Sequence, residues 1–136
     1  KKKYKVFVLI SDGELFEGSV WESFIFASHQ NLNNLIIIID NNNQIVMDYS
    51  RDAGDLNNLK KRLSTFNFVV EEIDGHDYSI LEKVLKKSKK NNKPTIILAN
   101  TVKGKGVSFM EKNKKWHHSV PSNEEYIMAK REIEGN

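Results

Sequence analysis

The chain contains four apolar runs, which alternate with stretches in which apolar residues recur every three or four positions. The runs show no polar alternation, as is typical of strands covered on both faces of a parallel sheet. They predict strands, the first of them buried, at 5–10, 35–39, 67–73 and 95–100. The periodic stretches predict helices at 18–31, 56–66 and 77–90, with a last helix after Ser122. The order β-α-β-α-β-α-β-α therefore predicts an α/β fold with a three-layer, doubly wound parallel sheet.

The predicted helices have apolar faces and polar first residues. Asp55, Asp77 and the Ser122–Glu125 capping box are expected to cap helix N-termini. The side chains expected to face the core are Val20, Trp21, Phe24, Ala27, Leu56, Leu59, Leu63, Ile80, Leu81, Val84 and Leu85.

The polar segments of the chain follow the predicted strands. They lie at 11–18, 40–48, 74–77 and 101–118. Ligands of open parallel sheets bind beyond the carboxyl ends of the strands. These segments are therefore expected to gather at one edge of the sheet and to form the functional site.

Composition narrows the class of protein. The 136 residues suit one domain, and 39% hydrophobic with 29% charged residues are typical of a soluble protein. The absence of cysteine excludes disulfides and thiolate metal sites and fits a cytoplasmic protein. No apolar run is long enough for a membrane span, and the basic first residues do not form a signal peptide. With three arginines and a net charge of +3, we expect neither a nucleic acid nor a membrane as partner.

Asp12 ends the first strand and Asn42 follows the second, so both point into one crevice. Mg²⁺ prefers oxygen ligands and takes one or two from side chains, with the rest from phosphates and waters. Gly13 would let the backbone approach such a ligand, and Gly18 would suit close packing or an anion at the helix start. An ordinary turn, with Asp12 as a helix cap and Asn42 as a turn former, explains the same spacing.

Other polar side chains near this edge also have two interpretations. Glu17 and Glu22 flank the start of the first helix, where carboxylates favour the helix dipole. His117 lies in the last long loop, where a histidine can hydrogen-bond a phosphate, move a proton or have no role. His76 is expected to hold its turn against Asp74 or Asp77.

Three linked stretches of the sequence resemble the transketolase family. "SDGELFEGSVWESFIFASHQNLNNLIIIIDNNNQ" is similar to the thiamine-diphosphate motif in its transketolase form. "IDGHD" and "TVKGKGVSFMEKNKKWHHSVP" resemble two later transketolase segments in the same order. The resemblance covers residues 6–126 and implies the thiamine-diphosphate-binding fold, with ketol transfer between sugar phosphates as the activity. Ser11 departs from the family, which usually has glycine there.

The resemblance also implies roles for individual residues. The metal would be Mg²⁺, with Ca²⁺ or Mn²⁺ as substitutes, and its ligands would be Asp12, Asn42 and the carbonyl of Gln44. Contacts to thiamine diphosphate are expected from Ser11, Asp12, Gly13, Glu14, Asn42, Gln44 and His117. Glu17 and Glu22 would belong to a proton network at a dimer interface, and His117 and these glutamates are the candidate catalytic residues.

The resemblance further implies that residues 1–136 are one partial domain. The upstream part of the diphosphate-binding domain and the pyrimidine-binding domain lie outside this sequence. We therefore expect the chain to be inactive alone, to need a pyrimidine-binding domain or subunit, and to assemble as a homodimer or heterotetramer.

Three other functions are compatible with parts of the sequence. The α-subunit of a 2-oxo acid dehydrogenase and deoxyxylulose-phosphate synthase share the Asp-Gly…Asn pattern, although "EGSVWES" favours transketolase. A non-catalytic domain that retains the fold would also explain the missing parts and Ser11. A generic nucleotide-binding domain is disfavoured because the chain has neither G-x-G-x-x-G nor a P-loop after its first strand.

Overall fold

The structure, a computed structural model, describes residues 4–44 and 58–135. Its strands are β1 (Val6–Ser11), β2 (Leu35–Asn41), β3 (Val69–Asp74) and β4 (Thr95–Asn100). Its α-helices are α1 (Gly18–His29), α2 (Leu59–Ser64), α3 (Tyr78–Ser88) and α4 (Asn123–Glu134). Two short 3-10 turns cover Asp12–Phe16 and Lys114–His117. No helix in these ranges is long and apolar enough to cross a membrane.

The four strands form one parallel sheet in the order β1-β2-β4-β3. Ser11 of β1 is level with Asp40 of β2, and Asp40 is level with Ala99 of β4. The strands therefore end together, and the segments that follow them start from the same edge of the sheet. The predicted α/β fold with a parallel sheet is confirmed.

Helices cover both faces of the sheet because alternate strand residues point to opposite sides. On one face Ile37, Ile39 and Leu98 pack with Phe24 of α1 and Leu63 of α2. On the other face Ile36, Ile38, Ile97 and Ala99 pack with Leu81, Val84 and Leu85 of α3. The result is the predicted three-layer arrangement, with the isoleucine-rich strand β2 buried between the two helix layers.

The prediction that the first strand is buried is wrong. Phe7 is 47% exposed and Leu9 is 71% exposed. The reason is topological: β1 is at the edge of the sheet and pairs only with β2 among the described residues. Its uninterrupted apolar sequence therefore does not correspond to a covered strand in this structure.

The helix boundaries follow the predicted caps where the structure describes them. Asp77 accepts hydrogen bonds from the backbone N–H groups of Ser79 and Ile80, and Ser122 and Glu125 form the predicted capping box. The inward orientation predicted for Ile80 is wrong, because this residue lies in the first turn of α3 and is 38% exposed. The predicted cap Asp55 and the core position Leu56 lie outside the described residues; Leu59 and Leu63 are buried as expected.

Candidate functional site

The segments that follow the strands meet at the carboxyl edge of the sheet, as predicted. The backbone N–H of Asn43, after β2, donates to Asp12 Oδ2, after β1, at 2.9 Å. The backbone N–H of Gly75, after β3, donates to the carbonyl of Asn100 at the end of β4 at 2.8 Å. All four strand ends are thus joined in pairs within one surface region.

Asp12 is the deepest polar residue of this region. Its side chain is fully buried, and it begins the 3-10 turn that follows β1. The turn is held from below by Leu15, which is buried, and by the Trp21 indole N–H, which donates to the Leu15 carbonyl at 2.7 Å. The carboxylate is therefore fixed at the strand end and bound to the segment that carries Asn42.

Asn42 lies next to Asn43 in the chain, and its side-chain amide is held on both sides. Its Nδ2 donates to Asp40 Oδ2 at 3.1 Å, and its Oδ1 accepts from the Gln44 backbone N–H at 3.0 Å. Asn43 adopts a left-handed backbone conformation with φ of 59°, which asparagine tolerates better than most residues. The tight bend at Asn43 thus joins the segment that carries Asn42 to Asp12, the other predicted side-chain ligand of a metal.

Gln44 is buried, with 4% of its surface exposed. Its side-chain Oε1 is buried and has no hydrogen-bond partner in the structure's described part. A buried acceptor of this kind is unusual in a folded protein and calls for a partner. A ligand of the site is one such partner.

The 3-10 turn Asp12–Phe16 begins with a capping box that was not predicted from the sequence. Glu14 Oε2 accepts from the Ser11 backbone N–H at 2.7 Å and from Ser11 Oγ at 3.1 Å, while the Glu14 backbone N–H donates to Ser11 Oγ at 3.3 Å. The S-x-x-E pattern formed by Ser11 and Glu14 indicates such a capping box in the sequence. It gives Ser11 and Glu14 a structural role next to Gly13, which is half-buried in the same turn.

Glu17 and Glu22 are both exposed on the start of α1. Glu17 is the N-cap residue, but its side chain makes no capping hydrogen bond. Within residues 4–44 and 58–135, no hydrogen bond joins either carboxylate to the region around Asp12. Gly18 has open space where a Cβ would lie, so close packing does not explain that glycine. The catalytic role of the two glutamates stays a prediction, because the expected proton network lies at an interface with a second protein chain.

The loop after β4 is tied to the same edge by two side chains. Thr101 Oγ1 donates to Asp40 Oδ1, and the Val102 backbone N–H donates to His76 Nε2 at 2.8 Å. His76 holds its turn against Asp74 as expected, although through its backbone and not through its ring. Only the His76 backbone N–H bonds Asp74, at 2.8 Å, and the ring reaches across to the next loop.

His117 lies further along this loop, at the end of the second 3-10 turn, and is half-buried. Burial, with smaller contributions from the positive charges of Lys103 and His118, lowers the pKa of His117 below its usual value. Its Nδ1 is buried without a hydrogen-bond partner among the described residues. The ring is therefore neutral at pH 7 and retains an unused polar atom that a ligand can engage.

The donor set at this edge fits a hard cation with a phosphate ligand. The described residues contain no cluster of three or more His, Cys, Asp or Glu side chains that could hold a metal ion. The predicted ligands, one carboxylate, one amide and one backbone carbonyl, would leave coordination positions for phosphate and water oxygens, as Mg²⁺ prefers. The buried polar atoms of Gln44 and His117 are consistent with a polar ligand.

Two cavities lie at the carboxyl ends of the strands, on opposite faces of the sheet. One, of about 540 Å³, is bordered by Asp40, His76, Thr101 and Lys103 and by apolar residues of α3. The other, of about 670 Å³, lies between α2 and the side chains of Asn41 and Glu72. The smaller cavity includes Asp40, which accepts a hydrogen bond from Asn42 Nδ2, but neither cavity is lined by Asp12, Asn42, Gln44 or His117.

Several known proteins are similar in sequence to this chain. The sequence model of the transketolase thiamine diphosphate binding domain matches residues 2–136. The chain is 39% identical over 131 residues to an apulose-4-phosphate transketolase subunit of Actinobacillus succinogenes, covering 96% of this chain and 48% of that protein. It is 33% identical over 130 residues to the 6-deoxy-6-sulfo-D-fructose transketolase subunit SqwG of Clostridium sp., with coverages of 95% and 47%.

A solved structure supports the same relationship. The crystal structure of transketolase from Campylobacter jejuni matches with a TM-score of 0.90 and 34% identity, over 96% of this chain and 21% of that chain. The chain spans about half the length of the curated relatives named above. The matched domain and the fold agree, so the chain belongs to the transketolase family and represents its thiamine-diphosphate-binding domain.

Proposed function

We propose that this chain provides the metal- and diphosphate-binding half of a transketolase active site. The enzyme would transfer two-carbon ketol units between sugar phosphates. The observation that carries this proposal is the junction of Asp12 and the Asn42 segment, where Asp12 Oδ2 accepts from the Asn43 N–H at 2.9 Å. This junction puts one carboxylate and one amide-bearing segment at adjoining strand ends, and oxygen ligands of this kind suit Mg²⁺ with a diphosphate.

The residues of the chain would hold and orient the cofactor. Asp12, the amide oxygen of Asn42 and the carbonyl of Gln44 would bind Mg²⁺, and the metal would fix the diphosphate. Thiamine diphosphate, when bound, supplies the carbanion chemistry by which a ketose is cleaved. His117, neutral because of its lowered pKa, would accept or donate a hydrogen bond to a phosphate or substrate oxygen. The half-buried loop that carries it would exclude part of the solvent.

The second half of the site would come from a pyrimidine-binding domain or a separate protein chain that contains one. Two relatives of about twice this chain's length are named as subunits of a transketolase, which supports an assembly with a separate partner chain. Glu17 and Glu22, exposed on α1, would face that partner and complete the proton network of the cofactor. A homodimer or a heterotetramer satisfies this arrangement, and the chain alone would be inactive.

Thermal unfolding with and without thiamine diphosphate and Mg²⁺ tests the proposal, with the partner chain present in a second series. Ligand at about a hundredfold over its dissociation constant stabilises a protein by roughly 2.7 kcal/mol. For a domain of this size, that free energy raises Tm by roughly 10 °C. We expect this metal-dependent rise in the wild-type chain and its loss in Asp12→Asn.

Asp74→Asn is the matched control. Asp74 also ends a strand and accepts from a backbone N–H, that of His76 at 2.8 Å, but it has no place in the metal site. We expect this variant to keep the rise in Tm. The absence of any rise in the wild-type chain in both series, or an equal rise in Asp12→Asn, would contradict the proposal. Turnover of a ketose phosphate, compared with a 2-oxo acid, then separates transketolase from the other thiamine-diphosphate enzymes.

A further inference from the structure

Asp40 stands between the two cofactor-binding segments without being among the expected ligands. It lies near the end of β2, half-buried, between Ser11 of β1 and Ala99 of β4. Its side chain borders the cavity of about 540 Å³ on the α3 face of the sheet. Both carboxylate oxygens are engaged, and each one holds a different segment of the site.

The first oxygen fixes the orientation of an amide. Asp40 Oδ2 accepts from Asn42 Nδ2 at 3.1 Å. A carboxylate accepts hydrogen bonds but cannot donate them, so the amide cannot rotate its oxygen toward Asp40 without repulsion. The Asn42 Oδ1 atom is therefore held on the opposite side, where it accepts from the Gln44 N–H at 3.0 Å. The remaining lone pair of this oxygen is the one that a cation would use.

The second oxygen holds the loop that leads to His117. Asp40 Oδ1 accepts from Thr101 Oγ1. The backbone keeps the loop close to this point, since the Thr101 N–H donates to the Asn41 carbonyl at 3.2 Å. The Thr101 methyl group also packs against Gly75, since a Cβ added to that glycine would lie only 2.5 Å from Thr101 Cγ2. His76 then fixes the next residue through the Val102 N–H at 2.8 Å.

We propose that Asp40 is a positioning residue that holds the Asn42 amide with its oxygen toward the metal and couples this amide to the loop that carries His117. The inference rests on the proposed function of Asn42 as a ligand. Outer groups that orient the ligands of a metal typically change its affinity by about 10–100-fold when they are mutated. Asp40 is expected to belong to this range.

Mn²⁺ is the probe for the test, because its free ion is measured directly by electron paramagnetic resonance. Mn²⁺ is titrated into the intact protein with its partner chain at saturating thiamine diphosphate. We expect Asp40→Ala to weaken Mn²⁺ binding by about 10–100-fold. Asp40→Asn is expected to restore most of the affinity, since its amide oxygen can still accept from Asn42. Thr101→Val, which removes one hydrogen bond, is expected to weaken binding by about fivefold.

Glu72→Ala is the matched control for this series. Glu72 is a carboxylate at the same edge that also accepts from an asparagine amide, Asn100 Nδ2 at 3.1 Å, but it does not contact Asn42. We expect it to leave Mn²⁺ affinity unchanged. Thermal unfolding without metal shows that each variant is folded, and if Asp40→Ala is not, Thr101→Val and Asp40→Asn decide.

The outcomes separate this inference from the proposed function. If wild-type protein binds Mn²⁺ but Asp40→Ala and Thr101→Val bind it as Glu72→Ala does, the positioning role is wrong and the proposed function stands. If Asp40→Asn binds as weakly as Asp40→Ala, the effect comes from charge rather than orientation, and the inference is also wrong. If wild-type protein does not bind Mn²⁺ with thiamine diphosphate, both ideas fail.

Discussion

Replacing Ser11 with alanine should weaken both the turn that carries Asp12 and the binding of the cofactor. Ser11 and Ser122 begin two capping boxes of the same design. The Ser11 and Ser122 N–H groups donate to the Glu14 and Glu125 carboxylates at 2.7 and 2.8 Å. The return bonds from the Glu14 and Glu125 N–H groups to the serine hydroxyls are 3.3 and 3.2 Å long. The chain therefore contains its own control.

The expected loss of stability follows from the N-cap hydrogen bond that each substitution removes. Loss of an N-cap serine typically costs about 1 kcal/mol, which corresponds to roughly 4 °C in Tm for a domain of this size. We expect this loss of stability in both Ser11→Ala and Ser122→Ala. Only the first box begins the turn of Asp12, so only Ser11→Ala should also weaken the binding of thiamine diphosphate with Mg²⁺. Ser11→Gly, which introduces the residue usual in the family, should cost only about 0.3 kcal/mol.

The assay is thermal unfolding monitored by circular dichroism, first without ligand and then across a titration of thiamine diphosphate at fixed Mg²⁺. The first series gives the stability of each variant, and the second gives the affinity from the rise in Tm. Equal loss of affinity in the Ser11→Ala and Ser122→Ala variants would refute the argument, since the effect would then be global. An unchanged Tm for Ser11→Ala would show that the capping box does not stabilise the turn.

Two further predictions concern buried polar atoms. Gln44→Leu should raise the free energy of unfolding without ligand by about 1–3 kcal/mol, because it removes a buried unpaired acceptor. It should also reduce the stabilisation that cofactor binding gives. Urea unfolding measures both quantities, and a loss of stability without ligand would contradict the argument. The pKa of His117 is lowered in the folded chain. Below the ordinary histidine pKa of about 6.5, the unfolded chain therefore binds more protons than the folded chain. The free energy of unfolding consequently falls as the pH drops from about 6.5 through the folded-state pKa of His117. Urea unfolding between pH 5 and 8 should show a smaller fall in His117→Asn, and identical pH profiles would contradict the assignment.

Much of the fold was predictable because β2 and β4 have sequences that suit only one environment. The run at 35–39 is buried or half-buried along its whole length, and Asp77 and Ser122 cap helices as their side-chain chemistry requires. The approach of Asp12 to the segment that carries Asn42 followed from the parallel arrangement of β1 and β2. These features depend on local pattern and on the geometry common to all parallel sheets.

Other features depend on neighbours that the sequence pattern does not specify. The apolar run of β1 indicated burial, but burial requires elements on both sides of a strand, and the strand order puts β1 at the edge. The ring of His76 bonds Val102, which is distant in sequence, rather than its own turn. The role of Asp40 likewise depends on the register of three strands and on the position of Thr101.

The two edge strands of the sheet differ in charge, and this difference affects the tendency of the protein to aggregate. The β3 edge carries Glu71, which pairs with Lys87 at 2.6 Å, and the exposed Glu72. Charges of this kind discourage edge strands from pairing with other chains. On β1, by contrast, Val6, Phe7, Val8 and Leu9 are all exposed, and none of these four residues is charged. A chain whose β1 is not covered is therefore prone to aggregate, and co-expression with whatever covers this strand should decide the yield of soluble protein.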